Sequence, residues 1–417
     1  MNYYNQYFDG IFWIPGGDER KINATLFIDE NGSAIISSLQ PLEAETNITE
    51  QWGEKKLVLG YLNSHCDSKT YSIKLYDTYT FYQSIGPLDK IKYKSDSTLI
   101  ASVYDSEIES NLYNILMLSS DKLNNWTPIT GFEINTNIDK KFEISHLYKQ
   151  PDIIELFKNK DFSIYLFFRA STNFQNRRKS HITETVFINI EPIHSFEITE
   201  LSNIRKSIER LFSLILFKPF LSKVIELRSK GGATYKVIKK MNELDNGIGK
   251  EINFEIFTKN SNLIFEKWYE KQKTLELGII NFFSVYGQKG VLIENKFLTY
   301  ISILENYHKN HISKNGYLKK RLENLLNNSS LASQLKKVDV YAERLKITRN
   351  YHSHLEEKHK AKSLKSEEIL KAIYLLEFII RELFLRQIGI KYNSKIPDNV
   401  EKYIKELNNL KRTTTKN

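Results

Sequence analysis

"ITELSNIRKSIERLFSLILF", residues 198–217, is where the chain changes its period. Leu201, Ile204, Ile208, Leu211, Phe212 and Ile215 recur at helical spacing, so one stripe of an amphipathic helix is apolar, and Pro219 bends or ends it. Upstream the pattern is different. Short alternating or aromatic-rich runs such as "GIFWIP" (10–15), "NATLFI" (23–28), "KLVLGYL" (56–62), "YSIKLYDTYTFY" (71–82), "STLIASVY" (97–104) and "NILMLS" (114–119) are separated by turn-forming residues. They read as antiparallel strands, with Asn31-Gly32 as a hairpin turn. "SIYLFFRAS" (163–171) and "TETVFINIE" (183–191) carry the β pattern to about residue 198, with "NFQNRRKSH" (173–181) as a loop between them.

Downstream, seven of the eight prolines have passed by Pro219 and the next is Pro397. A proline-free span rich in Leu, Ile, Glu and Lys is what packed helices require, because proline removes a hydrogen bond from the helical ladder. Helices are expected over about 263–286, 294–313, 315–356 and 366–388. Gly389 ends the last, with Glu367 and Glu368 in its first turn and Arg381 and Arg386 towards its end. "RSKGGATYK" (228–236) and "ELDNGIGKE" (243–251) read as loops. The second is no phosphate loop by pattern, since no Lys-Ser/Thr follows its glycines. The fold class is therefore α+β and multidomain: an N-terminal antiparallel β-sandwich-like domain followed by a C-terminal all-α bundle of four or five helices. The boundaries are 1–198 for the β-rich part, as one domain or two sub-domains, 199–262 for a helical linker region, 263–410 for the helical domain and 411–417 for a disordered tail.

Charge is distributed unevenly. Net charge is +10, yet residues 301–417 hold 24 Lys+Arg against 13 Asp+Glu, while residues 1–300 hold 36 against 37. A basic domain of this kind gathers polyanions by counterion release, RNA and DNA above all; solvated lysine-rich helix faces give the same count. Cys66 is the only cysteine. That excludes an intramolecular disulfide and a thiolate metal cage, and makes a reducing compartment, the cytoplasm, the expected location. No basic-then-apolar leader opens the sequence and no apolar run is long enough to span a bilayer, so a soluble, unprocessed chain is expected.

Within the basic region, "KITRNYHSHLEEKHK" (346–360) gathers Arg349, Asn350, His352, His354 and His359. Zinc ligands on one helix face sit at i and i+4, whereas His352 and His354 lie roughly 200° apart on a regular helix, so no metal site is expected. Phosphodiester chemistry needs other groups. RNA brings its own nucleophile, the 2′-hydroxyl; an enzyme must add a proton carrier and a cation for the charge developing on phosphorus oxygens. Histidine titrates near neutral pH and arginine presents a permanently charged planar fork. Asn350 adds an amide that can orient phosphate or imidazole. Arg349 and His354 stand roughly 140° apart on an ideal helix, so the helix must distort between them or a second wall must complete a cleft. His352 is nearer the face of Arg349 and is the rival proton carrier.

"RNYHSH" (349–354) matches the R-N-x-x-x-H form of the R-x4-6-H motif of HEPN-domain ribonucleases, and it precedes the long apolar helix "EEILKAIYLLEFIIRELFLRQIGI" (367–390). "KFLTYISILENYHKNHI" (296–312) resembles a helix of the ApeA-like branch through Phe297, Leu298, Glu305, Tyr307 and His308, and "FEKWYEKQKTLELGIINFF" (265–283) resembles the helix before it. "DGIFWIPGGDERKINATLFIDENG" (9–32) is similar to the opening of the ApeA N-terminal β domain. The resemblance covers both ends of the chain and leaves roughly 80–200 poorly anchored. It implies that the helical bundle is HEPN-type, that Arg349 stabilises phosphate, that His354 is general base or acid, and that Asn350 is the motif's polar residue. It implies a cytoplasmic homodimer through the HEPN domain, cutting host RNA such as tRNA without metal or other cofactor to leave a 2′,3′-cyclic phosphate, in anti-phage abortive-infection defence. The β domain is then a sensor or regulator open to a phage-derived activator, with no membrane involved. Ser353, where a small apolar residue is common, and the added His352 depart from the family pattern. Glu305 is either a partner for Arg349 or a surface residue.

Two other readings compete. A non-catalytic HEPN-like module would dimerise and bind nucleic acid or a partner without cutting. The aromatic load of the β half, Tyr3, Tyr4, Tyr7, Phe8, Phe12 and Trp13 at the start and Tyr71, Tyr76, Tyr79, Phe81 and Tyr82 later, would form a platform for a sugar or a phage protein, although aromatics in strands are more often core.

Overall fold

Alternating apolar positions fold the first half into strands β1 (Gln6–Trp13), β2 (Ile22–Ile28), β3 (Ala34–Ser38), β4 (Lys56–Asn63), β5 (Thr70–Ser84), β6 (Lys90–Ser95), β7 (Ser97–Ala101) and β8 (Leu112–Ser119). After helix α1 (Asp121–Trp126) come β9 (Phe132–Asn137), β10 (Glu143–Tyr148), β11 (Ile154–Lys158), β12 (Phe162–Asn176), β13 (Lys179–Pro192) and β14 (Phe196–Glu197). The computed structural model describes residues 3–16, 20–43, 54–63, 69–84, 90–137, 143–176, 179–238, 251–286, 288, 290–391 and 396–409. The Gly-Ile-Gly stretch at 247–249 and the 411–417 tail lie outside them.

The remaining elements are α2 (Ile198–Leu216), β15 (Val224–Ser229), β16 (Thr234–Ile238), α3 (Phe254–Val285), α4 (Ile293–His311), α5 (Leu318–Asn327), α6 (Val338–His354), α7 (Glu357–Lys360), α8 (Ser366–Gln387) and α9 (Asp398–Asn408). The chain divides into a β unit, Met1–Arg205 with Ser222–Glu243, and a helical unit, Lys206–Leu221 with Leu244–Asn417. The fold class is the expected α+β, with strands first and helices after.

In the β unit the sandwich-like packing takes the form of a large antiparallel sheet that closes on itself at one end, with β9 and β10 paired as a separate two-stranded sheet. β5 pairs β4, and its second half also pairs β6, so β4, β1, β2, β3 and β6 complete a barrel with β5. Phe8, Phe12, Leu26, Ile36, Leu62 and Ile73 fill the interior. The ring of Phe12 takes the space beside Gly60, where an added Cβ would lie 2.7 Å from it. The hairpin at Asn31-Gly32 forms as expected: the Asp29 carboxylate accepts from the Asn31 and Ser33 amides, and Gly32 takes φ +84°.

The sheet continues from β5 through β7, β16, β15, β8, β13 and β12 to β11. Two expectations are corrected here. The 199–262 linker is not wholly helical: its Gly231-Gly232 pair turns the β15–β16 hairpin, which enters the sheet between β8 and β7. The loop at 173–181 is mostly strand, since β12 and β13 stay paired out to Asn176 opposite Lys179.

In the helical unit α8 is the axis. Residues Leu375–Leu385 of α8 are all buried, which marks a helix surrounded by others. Its buried charges are matched. Glu377 accepts from Tyr300 at 2.7 Å and pairs Lys296 at 2.9 Å. Arg381 donates to the last carbonyls of α2, Leu214 and Ile215, and lies over Phe217. Gly389, at φ +80°, ends the helix region as expected.

The expected helix 315–356 is instead α5 and α6 with a break between. Asn328 and Ser329 turn the chain through side-chain bonds to local carbonyls, and Ser330 is held by the Glu382 carboxylate. α3 begins at Phe254, earlier than expected, with Asn253 as its cap. α9 was not expected; Val400, Tyr403, Ile404 and Leu407 bury one face of it.

Candidate active site

α6 presents Tyr341, Ala342, Leu345 and Thr348 to the core, the stripe of an amphipathic helix. Arg349, Asn350 and His352 follow at its border and are half-buried, and His354 is exposed at the helix's last position. The next residue, Leu355, takes the left-handed conformation (φ 52°, ψ 34°), and its amide donates to the Tyr351 carbonyl at 2.7 Å. That turn ends α6 and leaves His354 at its C-terminus.

Asn350 and His354 are i and i+4, so they share a face. Arg349 reaches across to both. Its Nη1 lies 3.3 Å from Asn350 Oδ1 and 3.4 Å from His354 Nε2. The arginine donates to the imidazole when Nε2 carries the lone pair. Among the described residues, no carboxylate lies within ion-pair distance of Arg349, so its charge is available to an incoming anion. His352 has its ring edge-on to Tyr351, with centroids 4.9 Å apart. Thus the structure brings Arg349, Asn350 and His354 together within one chain; the 140° separation of their α-carbons is bridged by the length of the arginine.

The chain beyond the site is tied back. Thr348 Oγ1 donates to the Arg344 carbonyl at 2.8 Å and accepts from the Leu364 amide at 2.9 Å. Arg344 pairs Glu368 at 2.9 Å, and Glu368 also caps α8 by accepting from the Lys365 amide. Glu356 pairs Lys358 and His359; Lys358 first, with the charges of His359 and His354, holds its carboxyl below the usual carboxylate range. Sequence reasoning missed Thr348 and Glu356. The signal for Thr348 was its place on the stripe of Tyr341 and Leu345.

Glu305 belongs elsewhere. Its carboxylate pairs Arg321 at 2.9 Å, not Arg349. Among the described residues, no three His, Cys, Asp or Glu side chains gather as metal ligands. No helix of the described residues is long and apolar enough to cross a membrane.

Residues 8–268 match the family model for ApeA N-terminal domain 1, and residues 292–394 match that for Apea-like HEPN. The chain belongs to the ApeA-like HEPN family. Comparisons with curated proteins and with solved structures found no match. The HEPN match runs from the start of α4 past the end of α8 and contains the whole of Arg349–His354. HEPN domains as a family are associated with ribonuclease activity.

Proposed function

We propose that this ApeA-like HEPN protein is an endoribonuclease that cleaves host RNA, tRNA among it, in anti-phage defence by abortive infection, with the β unit as its sensor. The observation that carries the reading is the 3.4 Å approach of Arg349 Nη1 to His354 Nε2 at the exposed end of α6, with Asn350 on the same guanidinium.

In this reading His354 Nε2 takes the proton of a 2′-hydroxyl as its oxygen attacks the adjacent phosphorus. Arg349 moves from imidazole to phosphate and holds the charge that gathers on the non-bridging oxygens. The bond from phosphorus to the 5′-oxygen breaks, and that oxygen takes a proton from water while the His354 imidazolium returns its own proton to solvent, leaving a 2′,3′-cyclic phosphate and a 5′-hydroxyl. His354 is favoured over His352 because its ring meets the arginine. A homodimer through the HEPN domain, with two motifs facing one cleft, and action without a metal complete the proposal.

The test is expression of wild type, Arg349→Ala, His354→Ala and His352→Ala in a bacterial host under phage challenge, with sequencing of RNA ends, beside gel assays of the purified chains on tRNA. Arg349→Ala and His354→Ala should fold and lose about 10²- to 10⁴-fold in cleavage, the worth of one acid-base group or charge-stabilising donor. His352→Ala should stay within about tenfold of wild type. Cleavage that survives both changes, or that only EDTA abolishes, sinks the proposal; RNA binding without product favours a non-catalytic module.

A further inference from the structure

The outer face of the barrel in the β unit carries lysines and aromatic rings in register. On β6, Ile91, Tyr93 and Ser95 are buried while Lys90, Lys92 and Lys94 alternate with them on the outer side. On β5, Tyr79 stands opposite Lys94, Tyr82 opposite Lys92 and Ser84 opposite Lys90. The row continues the other way: Ile35 of β3 is opposite Lys94, Phe27 of β2 opposite Ile35, and Tyr7 of β1 opposite Phe27. The rings of Tyr7 and Phe27 are 4.6 Å apart.

Tyr7, Phe81 and Tyr82 are open to solvent, while Phe27 and Tyr79 are half-buried. Tyr7 is 69% exposed, Tyr82 45%, and Phe81, placed at a shift in the β5–β6 register, 37%. Lys92 Nζ rests 5.4 Å from the centre of the Tyr82 ring. Among the described residues two carboxylates border the face: Asp9, which accepts from Thr25, and Asp96, 4.0 Å from Lys94. Three lysines and exposed aromatics therefore dominate it, in the half of the chain that has no net basic excess.

Charge and shape select one kind of occupant. Alternate residues of a strand are roughly 6.6 Å apart, a spacing that successive phosphates of an extended polynucleotide can follow. The rings beside the lysines offer flat faces of the kind on which unpaired bases stack, whereas a duplex keeps its bases to itself. A sugar would use the rings and leave the lysines idle; an acidic protein would do the reverse.

We infer that this barrel face binds single-stranded RNA, with Lys90, Lys92 and Lys94 on phosphates and Tyr82, Tyr79 and Tyr7 under bases. The choice of RNA over DNA rests on the proposed function; the single-stranded polynucleotide does not. Lys92 leaves the Tyr82 ring for a phosphate as a base takes its place, since an exposed cation–ring contact is weak.

The experiment uses the full chain carrying His354→Ala, so that RNA is held but not cut. A short oligouridylate with 4-thiouridine is photocrosslinked to it, the peptides are mapped by mass spectrometry, and affinity is followed by fluorescence anisotropy. Crosslinks are expected within 79–84. Tyr82→Ala should weaken binding about 5- to 100-fold, the worth of one stacked base, and Tyr82→Trp should restore it. Replacing Lys90, Lys92 and Lys94 together by Ala should lower the slope of log affinity against log salt by about 2. Crosslinks confined to residues after Lys206, with Tyr82→Ala binding as tightly as its parent, overturn the inference and leave the cleavage reading standing. Equal or tighter binding of oligodeoxyuridylate at 79–84 overturns the choice of RNA, and equal loss of duplex binding in Tyr82→Ala overturns the single-stranded reading. Barrel crosslinks from a wild-type chain that never cleaves would separate the two in the other direction.

Discussion

Thr348→Val should loosen the segment that follows the candidate site while leaving the shape of α6 intact. The hydroxyl of Thr348, fully buried, bridges the Arg344 carbonyl and the Leu364 amide. Valine keeps the branching and removes the oxygen. Arg344, in mid-helix, keeps the amide four residues on as its donor. Among the described residues the Leu364 amide has no such second partner, and leaving a buried N–H without an acceptor costs about 1–3 kcal/mol. The added methyl returns less than about 1 kcal/mol. A net loss of about 1 kcal/mol corresponds, for a unit of this size, to a fall in Tm of roughly 2–4 °C. Thr348→Ser keeps the oxygen and should cost only about 1 kcal/mol for the missing methyl. Calorimetry gives the Tm, and hydrogen exchange at the Leu364 amide reads the bond itself, which should lose protection in Val and keep it in Ser. Under the proposed function, RNA cleavage should fall with that protection, because the tether starts one residue before Arg349. If Thr348→Val melts within about 1 °C of wild type and the Leu364 amide stays protected, the reasoning fails.

Two further expectations concern the same unit. Burial first, and then the neighbouring Arg321, hold His308 below the usual imidazole range. The unfolded chain therefore takes up this proton first as pH falls through about 6.5, so the stability His308 contributes is present above that pH and is lost below it as pH approaches the folded value. The urea midpoint should drop between about pH 7.5 and about pH 5.5, and drop less in His308→Gln; equal slopes would refute it. Leu355→Gly should raise stability by about 1 kcal/mol, because a left-handed conformation strains any residue with a Cβ and glycine gives back part of that relief through its freer unfolded state. The leucine side chain is 73% exposed, so little packing is lost, and a lower Tm in the variant would contradict the strain.

What could be read from the sequence was whatever is encoded locally. The change of period at Ile198, the Asn31-Gly32 hairpin, the stop at Gly389 and the all-round apolar α8 depend on neighbours a few residues away. The β15–β16 hairpin escaped notice because its strands find their partners, β8 and β7, more than a hundred residues upstream. The break after α5 combines local bonds of Asn328 and Ser329 with the Glu382 carboxylate holding Ser330, and the last of these is again a distant contact. At the candidate site the residue types were legible but their meeting was not. A helical wheel places the α-carbons of Arg349 and His354, whereas the guanidinium sits several bonds away and turns back beside Asn350. Glu305 went to Arg321 for the same reason: a wheel does not say which of two arginines a carboxylate will reach.

The late entry of β15 and β16 into the sheet sets a timetable on the ribosome. Strands β1–β6 can close their barrel as soon as Ser95 has left the exit tunnel, and β7 can pair β5 and β8 can pair β13 soon after, but the link between β7 and β8 must wait for Ile238 to complete β15 and β16. At about 5–20 residues per second, the stretch from Ile252 to Arg349 then takes on the order of 5–20 s more. A polypeptide stopped before Arg349 would thus hold barrel and sheet with no guanidinium–imidazole pair, so translation interrupted there leaves a β unit without the candidate site.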